Sequence, residues 1–542
     1  MSVDVEDRVR RERRRRRTFA IISHPDAGKT TLTEKLLLYG GAIHLAGSVR
    51  ARKATRHATS DWMKIEQERG ISVTSSVLQF EFEGHSVNLL DTPGHQDFSE
   101  DTYRTLTAAD SAVMLIDAAK GVEAQTRKLF AVCRMRGIPI FTFINKLDRV
   151  SRSPMDLMDE LEQVLGIRSV PMTWPVGSGQ QFRGIFSRET RDLRVFDREG
   201  HGERMVNEEV ISLDTAEGRK RLSRSERAEL ESEVDLLDHA GDAFDAEKVR
   251  AGLLTPMFFG SAMHNFGVSH FLSRFIELAP APEARKTTSG DLVDPESSEF
   301  SAFVFKIQAN MDPSHRDRIA FMRICSGEYE KDMTALHVRT GKKIKLAKPS
   351  TFMARERSEV ENAYPGDIIG LFDPGHFRIG DAVTSGKAIE FEGIPEFAPE
   401  FFAIARLAEV VKRKQLQKGL EQLSQEGAIQ VFRQRGLLDK DPIVGAVGRL
   451  QFDVLKFRLE SEYSVTLELS DLPFDRARWV SGPPEELEKL QRGDLATLVQ
   501  DRDGNLMLLL RDEFSENHLK NRHPKIQFDA MAPRLAARTG KK

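Results

Sequence analysis

Short apolar runs alternate with helical patterns through the first half of the chain. The run at 19–23 ends in a turn, and residues 30–38 after it have the pattern of a helix. Further strand-like runs lie at 76–82, 86–90, 111–116, 139–144 and 256–259, with helical patterns such as 123–136 between several of them. Strands that alternate with helices predict a mostly parallel sheet covered on both faces.

The second half of the chain shows a different pattern. Residues 283–299 are polar and rich in turn formers, which indicates a linker. Short alternating runs separated by glycines follow over 300–392 and predict a small β-barrel. Strand-like and helical stretches alternate over 393–530, which predicts an α+β domain, and a basic tail follows at 531–542.

The first unit, residues 13–282, contains more chain than its predicted sheet needs. Most of the excess lies between residues 148 and 261, where one connection would require far fewer residues. We therefore expect an insertion at about 178–250, with short strands and an exposed charged helix over 216–238.

Composition and charge narrow the class of protein. Of the 542 residues, 40% are hydrophobic and 30% are charged, which is typical of globular chains. This length suggests about three or four domains. The 80 Lys and Arg nearly balance the 83 Asp and Glu, so net charge does not indicate a nucleic-acid partner. The arginine run at 13–17 is either a solvated arm or a contact for RNA phosphates.

The cellular compartment follows from what the chain contains. Its two cysteines, Cys133 and Cys325, lie in apolar stretches, which indicates buried thiols in the reducing cytoplasm. The sequence has no run of 18 apolar residues, so we expect no membrane contact. The N-terminal charges lead directly into the first strand without a signal-peptide core.

A phosphate-binding loop is indicated where the first strand meets the first helix. Backbone N–H groups and the helix N-terminus bind phosphate oxygens in such a loop. We expect Lys29 to reach the β- and γ-phosphates and the Thr30 hydroxyl to ligate Mg²⁺. Ser23 replaces the usual first glycine of the motif. The predicted contacts are Ser23, His24, Pro25, Asp26, Ala27, Gly28, Lys29 and Thr30.

A second motif closes the strand-like run at 86–90. Asp91, at the strand end, stands where a magnesium partner belongs, and Gly94 leaves its N–H free to approach the γ-phosphate. His95 stands where such enzymes keep the residue that orients the attacking water, so His95 and Lys29 are the predicted catalytic pair. The candidate residues are Asp91, Thr92, Pro93, Gly94 and His95.

Two further motifs indicate the base. A carboxylate accepts hydrogen bonds from guanine N1–H and the exocyclic amine, a donor pattern that adenine lacks. Leaving Asp148 unpaired against adenine would cost roughly 1–3 kcal/mol or more. Lys146 can lie along the base with its alkyl stem. The predicted guanine contacts are Asn145, Lys146, Leu147 and Asp148, with Ser261 and Ala262 near guanine O6 after the last strand.

The polar stretch from residue 41 to 76 has the length of a functional loop. In a nucleotide switch it would become ordered when one of its hydroxyls reaches Mg²⁺. We select Ser72 for that hydroxyl, with Thr74 as the competitor. The predicted metal ligands are therefore Thr30, Ser72 and Asp91. Four motifs in this order, each at a strand end of one domain, predict hydrolysis of GTP to GDP and phosphate.

These motifs resemble those of the translational GTPases and, among them, the bacterial peptide chain release factor 3 family, which is similar to elongation factor G. The resemblance rests on SHPDAGKT, RGIS, DTPGH, NKLD and GSA, and it extends from about residue 13 to 530. Elongation factors carry Thr in place of Ser72, and Ala or Gly in place of Ser23, so these two positions favour the release-factor group.

The resemblance implies a fold and a function. The implied fold class is α/β: a P-loop GTPase domain followed by a β-barrel domain and an α+β C-terminal domain. The implied protein is a monomer that binds the ribosome, including its RNA, after peptide release. It would promote dissociation of the stop-codon-reading release factor and leave after GTP hydrolysis. Its implied ligands are GTP, GDP and Mg²⁺.

Three other readings compete with this one. A ribosomal translocase shares the first two domains, but we expect no room for its further domains beyond about residue 530. A P-loop kinase would transfer phosphate to an acceptor, against which the motif at 145–148 argues. A nucleotide-binding scaffold would never turn over, and His95 disfavours it.

Overall fold

The protein is described here from a computed structural model. It covers residues 2–43, 66, 72–196, 208–215, 218–309, 318–346, 349–353, 356–394, 396–408, 410–434, 441–490 and 496–531. Residues 69–71 of the predicted switch motif lie outside the described residues, whereas Ser72 and Thr74 lie within them.

The first unit alternates strands with helices as predicted. Its helices are α1 (Ser2–Arg14), α2 (Lys29–Tyr39), α3 (Ser99–Leu106), α4 (Ala124–Met135), α5 (Pro154–Leu165), α6 (Gly218–Arg221), α7 (Arg224–Ala240), α8 (Ala246–Arg250) and α9 (Val268–Leu278). Its strands are β1 (Arg16–Ser23), β2 (Ser76–Phe82), β3 (His85–Asp91), β4 (Ser111–Asp117), β5 (Ile140–Asn145), β6 (Arg168–Pro171), β7 (Thr173–Val176), β8 (Gly184–Ser187), β9 (Asp192–Phe196), β10 (Glu208–Ser212) and β11 (Leu254–Phe259).

The central sheet has the order β6-β11-β5-β4-β1-β3-β2. All neighbouring strands are parallel except β2, which pairs antiparallel with β3. Strands β1, β4, β5 and β11 are buried along their whole length, as expected for strands covered by helices on both faces. The predicted mostly parallel sheet is therefore confirmed, and the carboxyl ends of its parallel strands meet at one edge.

The insertion forms a small antiparallel sheet of its own, with the order β10-β9-β8-β7. The sheet already begins at Thr173, ahead of the predicted boundary at 178. The charged helix predicted over 216–238 is α7, which starts later because Ser223 caps it and Glu226 returns the capping hydrogen bond.

The middle unit is a set of short antiparallel strands with the order β18-β17-β23-β14-β15-β22-β19. One backbone pairing, Met353 of β19 with Leu78 of β2, joins it to the central sheet. The strands are β12 (Arg285–Lys286), β13 (Leu292–Val293), β14 (Ser301–Ala309), β15 (Arg318–Ser326), β16 (Tyr329–Glu330), β17 (Thr334–His337), β18 (Lys342–Lys345), β19 (Pro349–Met353), β20 (Glu356–Glu359), β21 (Asn362–Ala363), β22 (Ile368–Phe372) and β23 (Ala382–Thr384).

The last unit packs helices on a sheet with the order β27-β24-β26-β25-β29-β30-β28-β31. Its helices are α10 (Arg413–Gln425), α11 (Leu450–Tyr463), α12 (Pro484–Leu490) and α13 (Glu513–Arg522). Its strands are β24 (Phe401–Leu407), β25 (Gln430–Gln434), β26 (Ile443–Ala446), β27 (Leu467–Asp471), β28 (Arg476–Ser481), β29 (Ala496–Gln500), β30 (Leu506–Leu510) and β31 (Gln527–Asp529).

Both cysteines are free and buried, as predicted, and burial raises the pKa of each thiol to about 12. Within the described part of the chain, no helix is both long and apolar enough to cross a membrane.

The arginine run is not a solvated arm, because three of its five members bind residues far along the chain, whereas Arg14 and Arg15 are exposed. Arg13 donates to the carbonyl of Pro282 and to Glu296, while Arg17 donates to the carbonyl of Ile276. Arg16 donates to Asp367 at 2.7 Å, with both side chains largely buried. Arg16 therefore joins the first unit to the barrel, Arg13 ties it to the linker, and Arg17 binds within the first unit.

The predicted linker is also anchored. It contains the hairpin β12–β13, and Arg285 donates to the carbonyls of Thr107 and Ala109 and to the carboxylate of Asp110. The same Asp110 accepts a hydrogen bond from the fully buried Arg323 of the barrel at 2.6 Å. Because both arginines share one buried carboxylate, the connection holds the two units in contact.

We predict that Arg16→Met lowers the free energy of unfolding by about 3 kcal/mol, because it leaves the carboxylate of Asp367 buried beside an apolar side chain. Arg10 is the matched control, since its bond to Glu296 is largely exposed and Arg10→Met should cost less than about 1 kcal/mol. Urea unfolding followed by circular dichroism measures both, and equal losses would contradict the prediction.

Candidate guanine nucleotide site

Four loops meet at the carboxyl edge of the central sheet. They follow β1, β3, β5 and β11, and they hold the residues that the sequence singled out for phosphate, magnesium and base. Ligands bind at this edge of open parallel sheets because the loops there surround a crevice and helix N-termini point into it.

The loop after β1 turns tightly into α2. The N–H of Ala27 donates to the carbonyl of His24 at 3.3 Å, and Asp26 and Gly28 take positive φ angles of 66° and 98°. A Cβ on Gly28 would lie 2.5 Å from Nδ2 of Asn145, so the position leaves no room for a side chain. Ser23 is buried, and its hydroxyl donates to the carbonyl of His24 at 3.0 Å.

Asn145 joins the phosphate loop to the last of the four loops. Its Nδ2 donates to the carbonyl of Ala27 at 2.8 Å, and its Oδ1 accepts from the N–H of Ala262 at 2.8 Å. The side chain is almost fully buried at the end of β5. Because both ends of one amide are used, Asn145 fixes the distance between the two loops.

The remaining residues of the NKLD motif are held by neighbouring loops. Asp148 accepts a hydrogen bond from the hydroxyl of Ser261 at 2.6 Å, which places the predicted base-reading carboxylate beside the loop at 260–262. Lys146 contacts the carbonyl of Asp26 and donates to Asp117 at 2.8 Å. Leu147 is buried, and its N–H donates to the carbonyl of Gly260.

Asp117 is a residue that the sequence analysis missed. Burial alone would raise the pKa of its carboxyl group, but hydrogen bonds from Lys146 and from the N–H of Ala119 outweigh burial and hold the pKa below its usual value. The signal was present, since Asp117 ends β4, a parallel strand between two strands that carry motifs.

The predicted metal ligand Asp91 lies beside the predicted phosphate residue Lys29. Lys29 and Asp91 form a buried ion pair across the sheet edge. The hydroxyl of Thr92 donates to the carbonyl of Ile21 at 2.7 Å, which fixes the start of the second loop on β1. Ionic and hydroxyl groups are thus brought together where the sequence places the γ-phosphate.

His95 lies on the exposed side of the same region. Its Nδ1 accepts a hydrogen bond from the N–H of Asp97 at 3.2 Å, and its ring centre is 6.2 Å from that of Phe98. Gly94 lies against the phosphate loop, since a Cβ there would be 3.7 Å from the backbone of Pro25. The His95 side chain is 31% exposed and remains accessible to water.

His24 faces a small charged group at the rim of the site. Burial lowers the pKa of its imidazole, and the nearby Lys120 lowers it further, although Glu123 opposes both effects. Its Nε2 lies 3.2 Å from Nζ of Lys120 and also contacts Glu123. The balance holds the pKa of His24 below the ordinary imidazole value.

The predicted switch residues adjoin the barrel. Just after Ser72 and Thr74, the N–H and hydroxyl of Ser75 both donate to Asp101 at 2.6 Å, and Lys306 of β14 contacts the carbonyl of Ser75. Burial alone would raise the pKa of Asp101, but Lys306 and Ser75 outweigh it and lower the pKa. The end of the switch loop is thus tied to α3 and to the second unit.

Three known protein families match consecutive parts of this chain. Residues 14–281 match the elongation factor Tu GTP binding domain, residues 299–386 match elongation factor G domain 2, and residues 391–520 match the C-terminal domain of class II release factor RF3. A protein named peptide chain release factor 3 from Symbiobacterium thermophilum is 57% identical over 520 residues, covering 96% of this chain and 98% of the relative. The chain belongs to the peptide chain release factor 3 family.

Other members of the release factor 3 family agree. The relative from Trichodesmium erythraeum is 51% identical and the one from Nostoc punctiforme is 52% identical, each covering 98% of both chains. A crystal structure of a protein from Thermus thermophilus matches the fold with a TM-score of 0.68 at 23% identity, covering 90% of this chain and 71% of that one. The predicted fold class is confirmed.

Membership of this family decides between the competing readings. It makes the chain a translational GTPase that binds GTP and GDP, which excludes the kinase and the inert scaffold. The match of residues 391–520 to the C-terminal domain of class II release factor RF3 favours the release-factor reading over the translocase. The resemblance proposed from the sequence is therefore confirmed.

We predict that Gly28→Ala weakens GDP binding at least about tenfold, because the left-handed conformation alone costs an L-residue roughly 1–2 kcal/mol and the new Cβ would collide with Asn145. Gly137→Ala is the matched control: its φ is 66°, but a Cβ there meets no described atom within 4 Å. Calorimetry with GDP compares the two variants. Equal affinities would show that the contact with Asn145 does not shape the site.

Proposed function

We propose that this member of the release factor 3 family hydrolyses GTP on the ribosome after peptide release. The protein first promotes dissociation of the release factor that reads the stop codon, and it hydrolyses GTP afterwards. The observation that carries the proposal is the placement of Asn145, which links the phosphate loop that carries Lys29 to the loop at 260–262, where Ser261 holds Asp148. This link brings the residues expected for the phosphates and those expected for guanine into one site.

The binding residues follow from this placement. Residues 23–30 would hold the phosphates with backbone N–H groups and with Lys29, and residues 91–95 would lie beside the γ-phosphate. Asp148 would accept hydrogen bonds from guanine N1–H and its amine, and Ser261 keeps that carboxylate in position. Lys146 would cover one face of the base with its stem.

Mg²⁺ fits the donors present here. Thr30, Asp91 and Ser72 offer hydroxyl and carboxylate oxygens, which this hard cation prefers. Phosphate oxygens and water would supply the remaining ligands. Bound there, the ion would neutralise charge on the β- and γ-phosphates.

His95 is the proposed positioning group for the attacking water. Nδ1 faces Asp97, whose N–H donates to it at 3.2 Å, so Nε2 is the ring nitrogen proposed to contact water. Nε2 can then orient water in line with the leaving oxygen once the ribosome moves the ring inward. We expect slow hydrolysis away from the ribosome, because Asp97 holds the His95 ring and leaves it partly exposed.

The arrangement of the other units gives the nucleotide a route to the rest of the molecule. Ser75 and Asp101 meet Lys306 of the barrel, and Asp97 accepts a hydrogen bond from the N–H of Leu450 in the last unit at 2.8 Å. We propose that ordering of the loop at Ser72 by GTP shifts these contacts and reorients both units.

We propose units at 13–282 with its insertion at about 178–250, at 300–392 and at 393–530, with a linker at 283–299 and a tail at 531–542. The protein would act as a cytoplasmic monomer, and its partners would be the ribosome, its RNA and the release factor that reads the stop codon.

We predict that His95→Ala lowers ribosome-stimulated GTP hydrolysis by about 10²–10⁴-fold while GTP affinity stays unchanged, because the residue acts on water rather than on the nucleotide. The assay measures phosphate release with ribosomes that carry a bound stop-codon-reading release factor, and without ribosomes. His85→Ala, at the other end of β3, is the control and should keep full activity. Full stimulated activity of His95→Ala would remove this role.

A second prediction separates the two switch hydroxyls. Ser72→Ala should weaken binding of a non-hydrolysable GTP analogue by about tenfold and leave GDP affinity unchanged, because the loop contacts the ion only in the GTP state. Thr74→Ala should change neither affinity. Calorimetry in the presence of Mg²⁺ measures both variants, and the opposite pattern would assign the role to Thr74.

A further inference from the structure

The insertion sheet touches both loops that would hold the guanine. From the insertion, the N–H of Gly179 donates to the carbonyl of Leu147, within the NKLD motif, at 2.8 Å. Phe182 and Phe196 of the insertion both contact the ring of Phe266, which follows the loop at 260–262. Apart from Leu147, these contacts involve residues that the sequence motifs do not predict.

Phe266 transmits this packing to Ser261 through the backbone. The N–H of Ser261 donates to the carbonyl of Phe266 and the N–H of Phe266 donates to the carbonyl of Ser261, each at 2.9 Å. The Phe266 ring lies nearly parallel to that of Phe196, with ring centres 4.8 Å apart and an interplanar angle of 17°. The centre of the Phe182 ring lies 5.8 Å from that of Phe266. The base loop is therefore clamped by the insertion.

The close approach of the backbones makes this clamp stiff. Gly267 has a φ of 72°, and a Cβ there would lie 2.8 Å from the carbonyl oxygen of Phe259 and 3.2 Å from the side chain of Ile185 in β8. Gly179 has a φ of 60°, and a Cβ there would be 3.4 Å from the backbone N of Val150, just after the NKLD motif. Small movements of the insertion must therefore move both loops.

We propose that the insertion sheet is a positioning element of the guanine pocket, with Phe196 and Phe182 as positioning residues that set how long a guanine nucleotide stays bound. The proposal rests on the proposed function, since it assumes that Asp148 and the loop at 260–262 hold the base. The insertion would then contribute to nucleotide binding without contacting the nucleotide itself.

The two faces of the insertion sheet allow a matched test. Strand residues that are paired across a sheet share a face, and successive residues alternate between faces. Phe186 pairs with Trp174 and Leu193, and the indole N–H of Trp174 donates to Glu233 of α7, so this face contacts α7. The Trp174 ring also contacts Phe259 of β11, with ring centres 5.4 Å apart. Ile185 and Phe196 are on the other face, toward Phe266 and Gly267.

Phe196→Leu and Phe186→Leu form the matched pair, because both rings are buried to a similar extent in the same small sheet. Both variants should lower the melting temperature by similar amounts. Only Phe196→Leu should speed the release of a fluorescent GDP analogue, by about 2- to 10-fold, since it removes one stacked aromatic pair. Phe182→Leu should also speed release of the GDP analogue. It serves as the test variant if Phe196→Leu does not fold.

Turnover provides a readout that a general loss of stability would not reproduce. With ribosomes, Phe196→Leu should raise the KM for GTP and leave kcat at saturating GTP unchanged, because the phosphate loop and His95 are untouched. If the wild-type chain prefers guanine nucleotides but Phe196→Leu and Phe186→Leu release GDP at equal rates, the inference is overturned. A wild-type chain that binds GDP and ADP equally would instead refute the proposed nucleotide site itself.

Discussion

One amide side chain holds the candidate site together. Asn145 uses both of its polar atoms on backbone groups of other loops, so the distance between the phosphate end and the base end is set by a buried hydrogen-bonded bridge. A buried amide with its donor and acceptor both satisfied is stable in that position, whereas losing either partner would leave a buried polar group unpaired. The loops that carry Lys29 and Asp148 depend on that bridge.

Around this bridge, the molecule uses buried charge to connect its units. Asp110 binds arginines from the linker and the barrel, Asp367 binds Arg16, and Asp101 binds Lys306. Each carboxylate is costly to bury alone and is stabilised by its cation, so the contacts favour one arrangement of the units over others. The contact between Asp101 and Lys306 lies beside the switch loop and α3, where a nucleotide could influence it.

Several features were predictable from local sequence because their physical cause is local. Buried parallel strands need continuous apolar runs, and the runs at 111–116 and 139–144 became β4 and β5. The tight turn before α2 needs a residue without a side chain, and Gly28 supplies it. The arginine run was misjudged because its partners, Asp367 and Pro282, are hundreds of residues away along the chain.

The sequence by itself determined the order of strands and helices, the four motifs at strand ends and the likeness to the release factor 3 family, since each depends on neighbouring residues. Only the tertiary structure showed that Asp117 holds Lys146, that Phe266 is clamped by Phe196 and that Lys306 reaches Ser75. These contacts join residues far apart in the chain. Their partners are chosen by how the units pack, which no local pattern of hydrophobic and polar residues encodes.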